Sequence, residues 1–316
     1  MHSPKKPKYQ ITSNLSEKQI EADVASFFGW CTPHEVDTPF RLLDVDEQVT
    51  GADKKFDRGS LIYIQFKKSG GLQSISDVAP SSRKGRSQLE DIRIYRNEVG
   101  LADSPSLFFQ LRAKAKTAED FQHNILLTYE RPPFSRAIYV APLLLDKEAY
   151  HRALHDSATR YLLDPFYYHL RYSISSKHWL SRFSSVPFLR EHISIPPHER
   201  VAHNNHYYAY SETGTDISWH SPSLIDSGPS RLSDFMVSTF RNAISNPESM
   251  RPVEVLANFI KETTSSMSFR DQIAGRNESP LSIIGQHGRW LKENYDTRQF
   301  ILLGNSEIIN DMRSAI

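Results

Sequence analysis

An α/β fold, with a mixed sheet flanked by helices, is what this sequence predicts, on three observations. The stretch "SEKQIEADVASFFGW" has the period of an amphipathic helix, "LIYIQFKK" alternates with the period of a strand, and "SRAIYVAPLLL" is a short apolar run of the kind that a sheet buries.

Taken in order, Ser16 and Gln19 have the spacing of a capping box, Ile20, Val24 and Phe27 recur at helical intervals, and Gly29 closes the first helix. "EVDTPFRLLDVDEQV" reads as extended, interrupted early by Pro39, and "GADKKFD" with "LIYIQFKK" reads as a hairpin around Arg58, Gly59 and Ser60. Residues 69–105 mix Gly, Ser and Pro with "RKGR" and "RIYRNE" and place only part of a helix. "SLFFQLRAKAKTAEDFQHNILLTYE" then reads as mainly helical, with Phe121, Ile125 and Leu126 on its later apolar face, until "RPP" stops it and the strand "SRAIYVAPLLL" follows.

From about residue 146 the texture changes. Helical signals in "DKEAYHRALHDSATRYLL", "PVEVLANFIKE" and "HGRWLKENY" alternate with "HYYAYSETGTDISWH", a second hairpin about Thr213 and Gly214. The division expected from this is a core over residues 1–146 and a C-terminal α+β module over 147–316, for binding, sensing or oligomerisation.

Composition narrows the function classes. Across 316 residues the net charge is +1, so nucleic-acid binding needs a local basic patch and not a global field. A single cysteine, Cys31, excludes an internal disulfide and a cysteine-rich zinc site; it reads as a packing residue in a reducing, cytoplasmic protein. The basic start "MHSPKKPKYQITS" lacks a signal-peptide apolar run, and no stretch approaches the roughly 18 apolar residues of a membrane span, so no membrane partner is expected. "GLADSP" and "GQHGRW" lack the spacing of a phosphate-cradling loop, which disfavours an ATPase. His203 and His206 in "HNNH", with His220 beyond, suggest a histidine-metal hydrolase only weakly, because no HExxH is present.

The chemistry-bearing feature is Gln65 and Lys67 on one face of a strand otherwise made of apolar and aromatic residues. If Arg58, Gly59 and Ser60 are a three-residue loop, Asp53 lies opposite Gln65, with Cβ atoms about 5 Å apart. Both oxygens could then hold one divalent cation. Asp57 is displaced by about 13 Å along the hairpin, and a two-residue loop would lose the Asp53 pairing.

Asp, a short hairpin and Gln-x-Lys resemble the active-site signature of the PD-(D/E)XK nuclease superfamily in its Mrr-like form, with Gln in place of Glu and Gly51-Ala52 where the name has Pro. The resemblance implies a restriction-endonuclease-like core: a Glu-bearing helix, a three-strand meander carrying Asp and Gln-x-Lys, a helix and a further strand, mapping to residues 16–29, 35–68, 107–130 and 135–145. It implies Mg²⁺, with Mn²⁺ as substitute, held by Asp53, Gln65 and a helix carboxylate. Glu21 is chosen over Glu17 and Asp23 because Val24, Ala25 and Phe28 place it at the border of the apolar face. The Phe66 carbonyl could add an oxygen, and Lys67 would orient or help deprotonate the attacking water.

The expected function is therefore phosphodiester hydrolysis, in DNA before RNA, in restriction or antiviral defence, as a homodimer or with a partner protein. The rival is a catalytically silent nuclease fold that binds nucleic acid or a protein partner in a defence complex. Arg83, Lys84, Arg86, Arg93 and Arg96 are the candidate phosphate contacts, with Arg112, Lys114 and Lys116 following and Tyr95 as a candidate stacking ring.

Overall fold

A computed structural model describes residues 7–31, 40–45, 56–82, 86–101, 104–116, 118–163, 187–219, 223–225, 229–273 and 278–314. The chain begins with β1 (Gln10–Ile11), α1 (Glu17–Cys31), β2 (Phe40–Asp44), β3 (Arg58–Phe66), β4 (Gly70–Leu72), α2 (Gln88–Glu98), β5 (Ser106–Gln110), α3 (Gln122–Thr128) and β6 (Ser135–Pro142). It continues with α4 (Lys147–Leu163), α5 (Pro187–Arg190), β7 (His192–Ile195), β8 (Tyr207–Tyr210), β9 (Ile217–Trp219), β10 (Ser223–Leu224) and β11 (Ser230–Arg231). The last elements are α6 (Leu232–Ser245), β12 (Arg251–Pro252), α7 (Val253–Thr263), α8 (Met267–Ile273), α9 (Pro280–Tyr295), β13 (Arg298–Gly304) and α10 (Ser306–Ser314).

The fold is mixed α/β. The larger sheet has the order β11-β7-β6-β3-β13-β2, with β12 pairing the start of β3; β3 and β6 are parallel and the other pairs antiparallel. A parallel pair needs a crossover, and the crossover buries the strand it returns beside. Accordingly β3 is covered on both faces. Ile62, Ile64 and Phe66 pack with Ile20, Val24 and Phe28 of α1 and with Phe235, Met236 and Phe240 of α6. Leu61 and Tyr63 pack on the opposite face with Tyr129, Leu256 and Ile260 of α7, and Ile284 and Leu291 of α9. A second, antiparallel sheet, β1-β4-β5-β8-β9-β10, joins that same core through Phe109, Tyr208 and Trp219, while Ile92 of α2 packs on its other side with Phe108 and Ala209.

Several expectations change against this frame. Arg58, Gly59 and Ser60 are not a turn: they are the first residues of β3, and Gly59 pairs with Leu303 and Arg251. Strand β2 does not touch β3, because β13 lies between them and pairs with both. The physical reason is that β3 is apolar or aromatic on both faces from Leu61 to Ile64 and buried from Gly59 to Phe66, so it sits in the middle of the sheet and not at the open edge of a hairpin. Residues 106–110 of the stretch read as helix are β5, whose Leu107 and Phe109 face one core and Phe108 another. The stretch before it holds α2, opened by a capping box of Ser87 and Glu90.

The division at residue 146 does not separate two bodies. Strands β7, β11 and β13 complete the sheet of β3 and β6, and β8, β9 and β10 complete the sheet of β1, β4 and β5. The hairpin about Thr213 and Gly214 is present as β8 and β9, with Tyr210 opposite Ile217 and Gly214 at a φ of 66°. The side chain of Cys31 and the whole of His220 lie outside the described residues. Among the described residues no helix is long and apolar enough to cross a membrane.

Two predictions follow from burial. A chain ending at Thr297 leaves β2 and β3 without their shared partner, and is expected to lose cooperative unfolding and resist no protease; a sharp urea transition in that truncated chain would contradict the shared sheet. His123, His192 and His287 are buried, and burial holds their imidazoles down at about 4, about 4 and about 3. The unfolded chain protonates them below about 6.5, so it binds more protons than the native state in this window. Stability should therefore fall as pH drops from 6.5 toward 5, by up to about 1.4 kcal/mol per pH unit for each histidine. Asp23 and Glu130, whose carboxyls burial raises, act in the opposite direction. Urea midpoints at pH 7, 6 and 5 test the balance, and a midpoint that rises on acidification would refute it.

Candidate functional site

The carboxyl end of β3 carries Gln65 and Lys67 on the face of Tyr63, but that face is not wet. Gln65 is 2 % exposed and Lys67 4 %. An amide and an ammonium buried at the end of a central strand need partners. Gln65 Oε1 accepts from the Thr297 hydroxyl at 3.0 Å. Lys67 donates from Nζ to Gln122 Oε1 at 3.1 Å, and Gln122 in turn donates to the Tyr295 carbonyl. Burial pushes the Lys67 ammonium down to about 8, against the pull of the Glu17 carboxylate nearby and with the help of the like-charged Arg112. Relative to its ordinary 10.5 this is a penalty on the charged form on the order of 3 kcal/mol.

Helix α1 approaches this strand end from the other face. Glu17 Oε1 accepts from the Lys68 backbone amide at 3.2 Å, so Glu17 is the α1 carboxylate that touches the strand's extension. Glu21 sits beside β13. It is 8 % exposed and accepts from Lys292 Nζ at 2.6 Å and from the Arg298 guanidinium. Arg298 reaches on to Asp44 at the end of β2 at 3.0 Å, and Lys292 to Asp296 at 2.7 Å. Asp296 also accepts from Arg112 at 3.2 Å. Acids and bases thus alternate around the end of the sheet, from Asp44 through Arg298, Glu21, Lys292 and Asp296 to Arg112.

The structure brings Gln65 and Lys67 to one place, with Glu21 bordering it through Arg298 and Lys292. Asp53 lies outside the described residues, and the register that was to bring it to Gln65 is not formed; the side chain that meets Gln65 is Thr297. Thr297, Asp296, Lys292, Arg298 and Asp44 were not singled out from the sequence. One local signal did exist. Asp296 ends α9 in the left-handed region, at a φ of 52°, where a negative charge opposes the helix dipole. An acid there calls for a cation to hold it, and Lys292 and Arg112 supply that.

The expected phosphate contacts divide. Arg83 and Lys84 lie outside the described residues. Arg86 is exposed and donates to the Ser81 carbonyl at 3.2 Å. Arg93 and Arg96 are corrected: both are buried inside the fold. Arg93 donates to the carbonyls of Gln73 at 2.6 Å and Ser74 at 2.8 Å and lies over the Tyr9 ring. Arg96 is 1 % exposed, pairs with Asp216 at 2.6 Å and donates to Ala209 and Ser218. They tie α2 to the second sheet, which explains their place in an otherwise polar helix.

Among the described residues no group of three or more His, Cys, Asp or Glu side chains is placed to hold a metal ion. The Glu21 carboxylate is neutralised by two cations, and the Gln65 oxygen is turned to Thr297. Asp53, the third residue of the expected set, lies outside the described residues. No protein-family model, no curated protein and no solved structure matches the chain.

Breaking the Glu21 pairs leaves two cations beside a buried strand end, although each keeps a second acid. Glu21→Ala is expected to lower unfolding stability by about 1–3 kcal/mol, less than a fully isolated buried pair would cost. A urea titration that shows no loss would mean that Lys292 and Arg298 relax into solvent without consequence.

Proposed function

We propose that the carboxyl end of β3 is a phosphodiester-directed site, and that the chain is a nuclease acting on DNA in restriction or antiviral defence, with a restriction-endonuclease-like core. The observation that carries this reading is the buried Lys67 ammonium, depressed to about 8, next to Gln65 on the same face of a central strand. A buried amine with that affinity for protons is neutral in a sizeable fraction near pH 8 and can take a proton from a water, which an ordinary surface lysine cannot. Gln65 and Gln122 fix its surroundings, and Glu17 adds a carboxylate at the same strand end.

Strands β2, β13 and β3 lie in that order, each antiparallel to its neighbour, and β6 lies parallel to β3. The middle strand, however, comes from the C-terminal part of the chain. In this reading the position expected for Asp53 beside Gln65 is taken by Thr297, with Asp296 next to it. Dependence on Mg²⁺ or Mn²⁺ remains part of the proposal through the resemblance, and the described side chains contribute no step to it.

The second reading, a catalytically silent nuclease fold that binds nucleic acid or a partner protein, draws on a different observation. Glu21 is closed by Lys292 and Arg298, and Lys67 is covered by Gln122.

The deciding experiment incubates the protein with supercoiled, linear and single-stranded DNA and with RNA, in Mg²⁺, Mn²⁺ or EDTA. Cleavage is expected to rise with pH, to be half-maximal near 8 and level off above it, to be abolished by Lys67→Ala, and to be weakened about 10-fold or more by Gln65→Ala. Cleavage by Lys67→Ala at the wild-type rate would eliminate the proposed site; binding without cleavage under every condition would establish the silent fold.

A further inference from the structure

The "HNNH" segment forms the outer end of a column of rings that runs into the protein toward Lys67. His203 and His206 lie ring on ring, centroids 4.5 Å apart and planes 6° from parallel. His206 stacks in turn on Trp219 at 5.1 Å and 6°, and Trp219 on His123 at 5.5 Å and 24°. At its inner end His123 meets the Tyr139 hydroxyl at 2.8 Å through Nδ1 and directs Nε2 at the Glu199 carbonyl at 2.6 Å. The Lys67 ammonium lies 6.0 Å from the Tyr139 ring. Trp219 and His123 are buried, His206 is half-buried and His203 is exposed.

The outer end is held in place. The His206 carbonyl accepts from the Leu111 amide at 3.0 Å, the Asn204 carbonyl from Gln110 at 3.3 Å, and the Asn205 carbonyl from Gln88 at 3.5 Å. Those contacts anchor the loop to β5 and to the first turn of α2, which puts the exposed Arg86 two residues from the tether at Gln88. A flat π-face is thus presented to solvent, already aligned on buried rings, with a guanidinium on the neighbouring segment.

We propose that the exposed face of His203 is a stacking platform for an unpaired nucleobase of single-stranded DNA. The inference rests on the nucleic-acid reading above and adds a contact site to it. Three points favour an unpaired base. Aligned rings extend by one more ring with little loss of freedom, because the platform is already ordered. Bases in single strands offer π-faces that paired bases hide, and stacking tolerates any sequence. The segment that tethers the loop carries an exposed cation, Arg86, which suits a phosphate of the bound strand.

The test measures binding of a fluorescein-labelled single-stranded oligonucleotide of about 12 nucleotides, a length within the usual site sizes, at low salt. The measurements are made at pH 8. His203→Ala is expected to bind about 5- to 100-fold more weakly, and His203→Phe to restore binding. An oligonucleotide of the same length with abasic sites should bind wild type and His203→Ala alike. Several results would overturn the proposal: equal affinity of His203→Ala and wild type, failure of the phenylalanine to rescue, or an equal loss on the abasic strand. Any of these with wild-type binding intact removes the platform alone, whereas wild type that binds no DNA of any form removes the platform together with the nucleic-acid reading.

Discussion

Strand β3 is buried on both faces and paired along both edges, and that double burial is what the rest of the molecule is organised around. A strand whose successive residues Leu61, Ile62, Tyr63 and Ile64 are apolar or aromatic on both faces has no solvent side to offer. It must find helices above and below and strands to left and right. α1 and α6 supply one cover, α7, α9 and the second sheet the other, while β6 and β13 supply the edges. Gln65 and Lys67 are polar residues at the end of such a strand, and their burial follows from its position. Their hydrogen bonds to Thr297 and Gln122 satisfy groups that water cannot reach.

That same burial sets the electrostatics. The end of the sheet collects Glu17, Glu21, Asp44 and Asp296 on one hand and Lys67, Lys292, Arg298 and Arg112 on the other. Charges half removed from water persist when each sees an opposite charge, and the alternating order meets that requirement. Lys67 is the exception in degree. It is more buried than Lys292 and Arg298 and has an amide oxygen, not a carboxylate, against its nitrogen, and burial lowers its affinity for a proton.

Much of the local structure was legible in the sequence. The helical period of α1, the alternation of β3, the apolar run of β6 and the Gly214 turn each depend on neighbours within one element, and each is where the residues put it. Long-range pairing was not legible. "RQFILLG" at residues 298–304 is a short apolar run that could have paired with any strand, and nothing local states that it enters between β2 and β3. Arg58-Gly59-Ser60 has the composition of a turn, yet Gly59 is needed for close packing: a Cβ there would lie 3.2 Å from both Ile301 and Leu256. The candidate site divides for the same reason. Gln65 and Lys67 share a face because of a two-residue period, which sequence shows. Their partners Thr297 and Gln122 arrive from elements 232 and 55 residues away, which sequence does not. Arg93 and Arg96 looked like surface cations because composition does not record which side of a helix meets another sheet.

The insertion of β13 also has a consequence in time. During synthesis the chain emerges from its amino end, so β2 and β3 exist long before the strand that joins them. Until β13 has been made and has left the ribosome, β3 has an open edge and two apolar faces only partly covered, a state that invites chaperones or strand-to-strand association. The polar cluster at its end is likewise incomplete, since Lys292, Asp296, Thr297 and Arg298 arrive together with β13. A protein built this way cannot assemble its site on an unfinished chain, and any molecule that stops short is marked by its own exposed strand.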